Sequence, residues 1–209
     1  SINRHLNQRS EMLSGISHDL RTPLTRLKLQ LAMIDQKNIS EKMSRDIDEM
    51  ENMLNDYLQF AKTQAKEETT NVKLSFLFEE IKKDLNNKNL FLENLDNVEL
   101  NGRLSSLRRC FENVIQNGLT YGKNVYVELQ KGNNRAIINI DDDGPGISED
   151  QHRNVFKPFF RLDKSRNLNK AGVGLGLAIV EDIVNAHGGN IQLNKSKYNG
   201  LQVKISLPF

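Results

Sequence analysis

Leu13-Ser14-Gly15-Ile16-Ser17-His18-Asp19-Leu20-Arg21-Thr22-Pro23-Leu24 opens the stretch whose period decides the first half of the fold. Leu13, Ser17, Leu20, Leu24, Leu27, Leu31 and Ile34 follow one another at spacings of 4, 3, 4, 3, 4 and 3. That is the repeat of a helix with one apolar seam. After a polar break at Gln36-Lys37-Asn38, the residues Met43, Ile47, Met50, Leu54, Tyr57 and Ala61 repeat the spacing, with Ser40 as the expected N-cap. Residues 1–66 are therefore expected to form an antiparallel helical hairpin whose first helix is about 50 Å long. One hairpin cannot bury both seams. Two copies joined as a four-helix bundle can, so a homodimer through residues 1–66 is expected.

Residues 67–73 are polar and aperiodic and read as a linker. From residue 74 to 209 the pattern becomes mixed. Helices are expected over Phe76–Asn89, Leu104–Tyr121 and Gly174–His187, the last ended by Gly188-Gly189. Short strands are expected at Val98–Leu100, Val125–Leu129, Ala136–Ile140 and Leu201–Leu207, the middle pair being a hairpin about Gly132. The fold class is thus multidomain: a helical hairpin, then an α/β two-layer sandwich with helices on one face of a sheet.

Composition narrows the function. The 209 residues are 37% hydrophobic and 27% charged, with a net charge of +2 spread over both signs. No basic stripe is present, which argues against nucleic acid as a partner. Mean hydropathy is −0.57, and no apolar run approaches the ~18–20 residues of a membrane helix. The single cysteine, Cys110, excludes an internal disulfide and a cysteine zinc site, and reads as a buried thiol. The chain begins at Ser1 without a signal-peptide pattern and reads as an excerpt of something longer.

His18 follows the seam residue Ser17, so it is turned about 100° out of the seam, where a partner can reach it. The adjacent carboxylate of Asp19 can accept from one ring nitrogen and leave the other nucleophilic. Thr22 lies one turn on, on the same face. Pro23 removes an N–H, frees the Asp19 carbonyl and should kink the helix, at a cost of about 3 kcal/mol. The alternative is a solvated helix histidine beside an ordinary charge. His5 and His152 read as polar helix residues, and His187 as a last-turn residue whose partial charge suits the helix dipole.

Three further clusters occur in order. Asn113 and Asn117 share one helix face, followed by Tyr121; two amides so placed suit a hydrated hard cation and phosphate oxygens, or are a surface amide pair. Asp142-Asp143-Gly144-Pro145-Gly146 ends a strand. Its glycines allow close approach of a flat ligand and its carboxylate can accept from an exocyclic amine, unless it is a plain Asp-Gly turn. Gly172, Gly174 and Gly176, with Leu177, run into a helix and offer free N–H groups to an anion. Neither a P-loop lysine nor the dinucleotide glycine pattern accompanies them. The polar segment Arg161–Ala171 before them reads as a lid.

Together these resemble the sensor histidine kinases of bacterial two-component systems. Ser17–Leu24 resembles the H box and Asn113–Asn117 the N box. Asp142–Gly146 resembles the G1 box, Phe156-Lys157-Pro158-Phe159-Phe160-Arg161 the F box, and Gly172–Leu177 the G2 box. The five stand in family order over nearly the whole chain and look closest to the EnvZ osmosensor branch. The resemblance implies ATP and Mg²⁺ as cofactors. It implies His18 as phosphoacceptor, Asp19 as its general base, and Thr22 as support for phosphatase action. It places Mg²⁺ on Asn117, phosphates near Asn113, adenine at Asp142 beside Tyr121, and phosphates among Gly172, Gly174, Gly176 and Leu177, with Arg161 reaching in from the lid. Gly144 and Gly146 would border the base. The implied partner is a response-regulator receiver domain. The fragment would be cytoplasmic, and anchoring in the inner membrane would come only through segments absent from it. Two departures stand out: Thr120 replaces a common basic residue, and Gly118 replaces the usual alanine and should loosen its helix. The competing readings are an ATP-hydrolysing protein of the gyrase, chaperone or mismatch-repair type, which would carry a glutamate base at the place of Asn113, and a degenerate kinase serving as a scaffold.

Overall fold

The structure, a computed structural model, describes residues 23–27, 29–31, 39–41, 43–44, 47–48, 50–51, 67–162 and 174–209. The chain divides into two compact units, Ser1–Glu67 and Glu68–Phe209.

In the first unit every described residue between 23 and 51 is helical. Leu24, Leu31 and Ile47, all seam residues, are buried against one another. Leu27, Met43 and Met50, from the same two seams, stay exposed. Ser40 does not cap the second helix as expected. Ile39 ahead of it is already helical, and the Ser40 hydroxyl donates instead to the Leu31 carbonyl at 2.7 Å. It thereby satisfies a carbonyl of the first helical stretch rather than an amide of its own.

The second unit runs β1 (Thr70–Lys73), α1 (Leu74–Leu85), β2 (Leu90–Leu95), β3 (Glu99–Gly102), α2 (Leu104–Tyr121), β4 (Val125–Lys131) and β5 (Arg135–Asp142). A 3-10 turn at Glu149–Gln151 follows, then α3 (Gly176–Ala186), β6 (Asn190–Lys195) and β7 (Leu201–Pro208). β1 pairs antiparallel with β3, and the other five strands form a sheet in the order β2-β4-β5-β7-β6. Only β2 against β4 is parallel among the described pairs. Alternation sorts the sheet's faces. Val125, Val127 and Leu129 on β4, Ala136, Ile138 and Ile140 on β5, and Val203, Ile205 and Leu207 on β7 are buried. α2 and α3 pack on each other and on these strands. The residues between them, such as Tyr126, Glu128, Asn139 and Lys204, face outward. The result is the expected two-layer sandwich.

Each helix buries one stripe. Phe78 of α1 meets Phe111 of α2 with ring centroids 4.6 Å apart, a contact worth about 1 kcal/mol beyond its area. Cys110 is fully buried, and burial pushes its thiol up, so it is inert as expected. Four expectations shift. Thr70–Lys73, read as the end of a linker, is strand β1, so the second unit begins earlier. α1 stops at Leu85, not Asn89, because Asn86 takes the left-handed conformation at φ 44° and closes the helix end. β2 and β6 were not foreseen; both are sheet edges with a single buried position each. His187 does not carry charge for a helix dipole. Its Nδ1–H donates to the Ile183 carbonyl at 2.7 Å and its Nε2 accepts the Arg103 N–H at 3.1 Å, which fixes a neutral ring joining the end of α3 to the start of α2.

Gly118 also departs from expectation. It is buried where α2 crosses β4, and an added Cβ would lie 2.6 Å from Val125 Cγ2. The glycine therefore allows helix and strand to meet closely. Gly118→Ala gains about 1 kcal/mol of helix propensity but overpacks a stiff β-branched neighbour at about 1–3 kcal/mol, so urea unfolding should show a net loss of stability. Adding Val125→Ala should cost less than its single effect, a non-additivity that a double-mutant cycle measures.

Candidate functional site

Three elements converge at one end of the sandwich. α2 contributes Asn113 and Asn117, β5 contributes Asp142 at its last residue, and α3 contributes its N-terminus. The i, i+4 spacing of the asparagines turns both amides toward Gly176, whose added Cβ would lie 3.3 Å from Asn117 Nδ2 and 3.5 Å from Asn113 Oδ1. Asn113 spends its amide on the Arg109 carbonyl at 3.0 Å, which leaves Oδ1 as the outward acceptor. The Asn117 amide makes no hydrogen bond among the described residues. The α3 N-terminus has no side-chain cap, so its first N–H groups are available to an anion.

Glu112 is separated from this cluster by its partner. It accepts from Arg108 at 3.3 Å, and Arg108 also holds Glu80 and Asp84 of α1 at 3.1 and 2.9 Å. The carboxylate beside Asn113 is thus committed to a helix–helix ion network.

Asp142 is 8% exposed. Its Oδ1 accepts the Gly144 N–H at 2.8 Å and the Leu201 N–H at 3.0 Å. Oδ2 accepts no hydrogen bond among the described residues. Burial raises the carboxyl above its ordinary value, and the two backbone donors pull the other way without cancelling it. Asp143 has the opposite setting. Its carboxylate takes the Lys123 and Asn124 N–H groups at 2.6 and 2.8 Å and the Asn124 amide at 2.7 Å. These donors hold its pKa below the ordinary value. Asp143 ties the chain just after α2 to the end of β5, and Asp142 keeps one oxygen uncommitted among the described residues. Tyr121, largely exposed, places its carbonyl beside Gly144, and Gly146 lies against the Gly200 carbonyl.

Gly174 sits at φ 80°, and its carbonyl accepts the Phe159 N–H at 2.9 Å. Phe159 is itself left-handed at φ 64°. The stretch resembling the F box is thereby pinned to Gly174, two residues ahead of α3. Leu177 is half-buried in the first turn of that helix. His18, Asp19, Thr22 and Gly172 lie outside the described residues. Gly200, packed against the Asp142 carboxylate, and Leu201 at the start of β7, which donates its N–H to it, were missed. Their signal was the Asn199-Gly200 pair, a hairpin turn signature. A concavity of about 790 Å³, lined by His152, Arg153, Phe156, Lys157, Glu181 and Leu193 among others, contains none of the asparagines or aspartates above.

Two family models divide the chain in the same way. Residues 8–66 match the His Kinase A (phospho-acceptor) domain, and residues 102–209 match the histidine kinase-, DNA gyrase B- and HSP90-like ATPase. The chain belongs to the sensor histidine kinase family. The sensor histidine kinase GtrS of Pseudomonas aeruginosa is 36% identical over 99% of the chain, and the sensor histidine kinase CpxA of Escherichia coli is 31% identical over 100%. The chain spans 43% and 49% of those two relatives. The solved histidine kinase domain of the E. coli osmosensor EnvZ superposes with a TM-score of 0.51 at 31% identity, over 68% of this chain and 88% of that one. The ATP-binding domain of a histidine kinase therefore occupies the second unit, where the asparagines, Asp142 and α3 meet. No helix among the described residues is long and apolar enough to cross a membrane.

The Asp143 clamp gives a pH signature. A carboxyl whose folded pKa is lowered stabilises the fold above its unfolded value, here 3.8, and loses that contribution as pH falls through the folded value. Asp143→Asn should cost about 1 kcal/mol at pH 7, low for a charged acceptor because the group is only partly shielded. The gap from the parent protein should close on acidification, as read by denaturant unfolding across pH.

Proposed function

We propose that this chain transfers the γ-phosphoryl group of ATP to His18 and passes it on to an aspartate in the receiver domain of a response regulator. The observation that carries the reading is the convergence of Asn113, Asn117 and the uncapped α3 N-terminus, with Asp142 packed against the neighbouring Gly118 of the same helix. Phosphoryl transfer asks a protein mainly for positioning and charge stabilisation, and those groups supply both.

Asp142 Oδ2 would accept the exocyclic amine of adenine, with Tyr121 beside the base and Gly144 and Gly146 bordering it. Gly172, Gly174, Gly176 and Leu177 would present backbone N–H groups to the phosphates, with Arg161 adding charge. The outward Oδ1 of Asn113 and the uncommitted amide of Asn117 fit a hydrated Mg²⁺. That ion, when bound, would neutralise charge on the phosphates. A His18 ring nitrogen would form the new P–N bond as the bond to the β-phosphate oxygen breaks, and Asp19 would take the proton from the ring. Thr22 would orient water when the phosphorylated regulator is dephosphorylated. Transfer requires the second unit to swing. With Thr70–Lys73 built into the sheet pair, the hinge belongs ahead of Thr70.

The exposed Leu27, Met43 and Met50 support dimerisation through residues 1–66, because three of the six described seam residues are left open in a single copy. The commitment of Glu112 to Arg108 counts against a gyrase- or chaperone-type hydrolase, which would need a glutamate aimed at the nucleotide.

Incubation with γ-labelled ATP should place acid-labile, base-stable label on the protein. His18→Ala should abolish the label while leaving ATP affinity within about twofold, and Asn117→Ala should lower Mg²⁺-dependent nucleotide affinity by about tenfold or more, the loss of about 1.4 kcal/mol of binding. Thr22→Ala should keep the label and slow dephosphorylation of the regulator. Normal labelling of His18→Ala would remove the phosphoacceptor assignment, and free phosphate without labelled protein would favour the hydrolase.

A further inference from the structure

The outer face of the sheet carries an aromatic ladder directly behind Asp142. Phe91 of β2 stacks on Tyr126 of β4 at 5.1 Å between centroids, and Tyr126 stacks on Tyr198 at 3.8 Å, both within 18° of parallel. Tyr198 belongs to the turn between β6 and β7. Its hydroxyl donates to Glu93 Oε1 at 2.6 Å, and the neighbouring Lys197 ammonium pairs with Glu93 Oε2 at 3.0 Å. The turn is thereby fastened to β2, at the opposite edge of the sheet from β6.

The turn is also closed on itself. Ser196 N–H donates to the Gly200 carbonyl at 2.9 Å, and Asn199 N–H to the Ser196 carbonyl at 3.1 Å. Tyr198 N–H donates to Ser196 Oγ at 3.0 Å. Residues 196–200 are therefore cross-linked by three hydrogen bonds. The next residue, Leu201, gives its N–H to Asp142 Oδ1. Gly200 is pressed so close that an added Cβ would overlap that carboxylate and would stand 2.6 Å from the Gly144 nitrogen. On the outer face Tyr126 stands opposite Asp141, which takes the Gln202 amide at 3.2 Å. Wherever the ladder sets the height of the turn, it sets the place of the Asp142 carboxylate.

We propose that Tyr198 is a positioning residue for base recognition: its stack on Tyr126 and its bond to Glu93 hold the β6–β7 turn so that Leu201 aims the free oxygen of Asp142 at the exocyclic amine of adenine. The proposal rests on the assignment of Asp142 to the base, made above. It makes discrimination between purines depend on a side chain on the face of the sheet away from the nucleotide.

The test compares affinities of the full 209-residue chain for Mg·ATP and Mg·ITP, the latter having a carbonyl where ATP has the amine. Asp142→Asn should erase the preference for ATP. Tyr198→Ala should lower ATP affinity by about tenfold and ITP affinity by less than about twofold, as expected if one aimed polar contact is lost. Tyr198→Phe, which keeps the stack, should restore most of the preference. A Tyr198→Ala protein that melts at a lower temperature but keeps the parent ratio of affinities would overturn the proposal, leaving Tyr198 a merely structural residue. So would failure of Tyr198→Phe to restore the preference. Where Tyr198→Ala does not fold, Tyr126→Leu removes the ring on which Tyr198 stacks and keeps an apolar strand residue, and an unchanged ratio again overturns the proposal. If Asp142→Asn keeps its preference for ATP, the base assignment itself fails, and the role of Tyr198 fails with it.

Discussion

A carboxylate removed from water must be met by donors, and Asp142 is met from two sides: by Gly144 in its own turn and by Leu201 at the start of β7. Those bonds do not fully repay its burial, as its raised pKa records. Around it the packing leaves little slack. Gly118 brings α2 down onto Val125, and Gly200 brings the β6–β7 turn onto the carboxylate. Asp143 fastens the end of α2 to the end of β5. Each neighbour fixes one side of a single charged group, so the carboxylate is held by the fold itself. Preformed geometry of this kind lowers the ordering cost of binding.

The same arrangement explains how two chemically similar neighbours divide their work. Asp142 and Asp143 are adjacent in sequence and face different surroundings. One keeps an oxygen uncommitted at a buried edge, and the other spends both oxygens on the backbone and amide of residues 123 and 124. A similar division separates Glu112 from Asn113. Adjacent positions on α2, about 100° apart, send the Glu112 carboxylate to Arg108 and turn the Asn113 carbonyl oxygen toward Gly176.

Much of this was legible in the sequence where one element carries the signal. The i, i+4 spacing of Asn113 and Asn117 needs only a helix to become a shared face, and the seam residues Leu24, Leu31 and Ile47 needed only two. Gly174 and Gly176 marked the start of α3 by type and place. What stayed hidden depended on distant partners. The grip of Leu201 on Asp142 uses a backbone N–H, which no residue type advertises, across 59 positions of sequence. Gly118 read as a loosened helix because propensity scales lack the neighbour, Val125, that makes the glycine a packing residue. β2 and β6 are edge strands, half wet, and their weak alternation resembles loop. Thr70–Lys73 was read as linker for the same reason: its single buried side chain is Val72. His187 read as a charge because its partner, the Arg103 N–H, lies 84 residues away.

The most direct measurement is an amide-resolved NMR titration of the chain with Mg·ADP. The amides of Asn117, Gly144, Gly176 and Leu201 should shift together along one saturation curve, with Leu201 responding although its side chain need not touch the nucleotide. Shifts confined to the concavity beside Phe156 and Glu181, with those four amides unmoved, would contradict a nucleotide site built around Asp142.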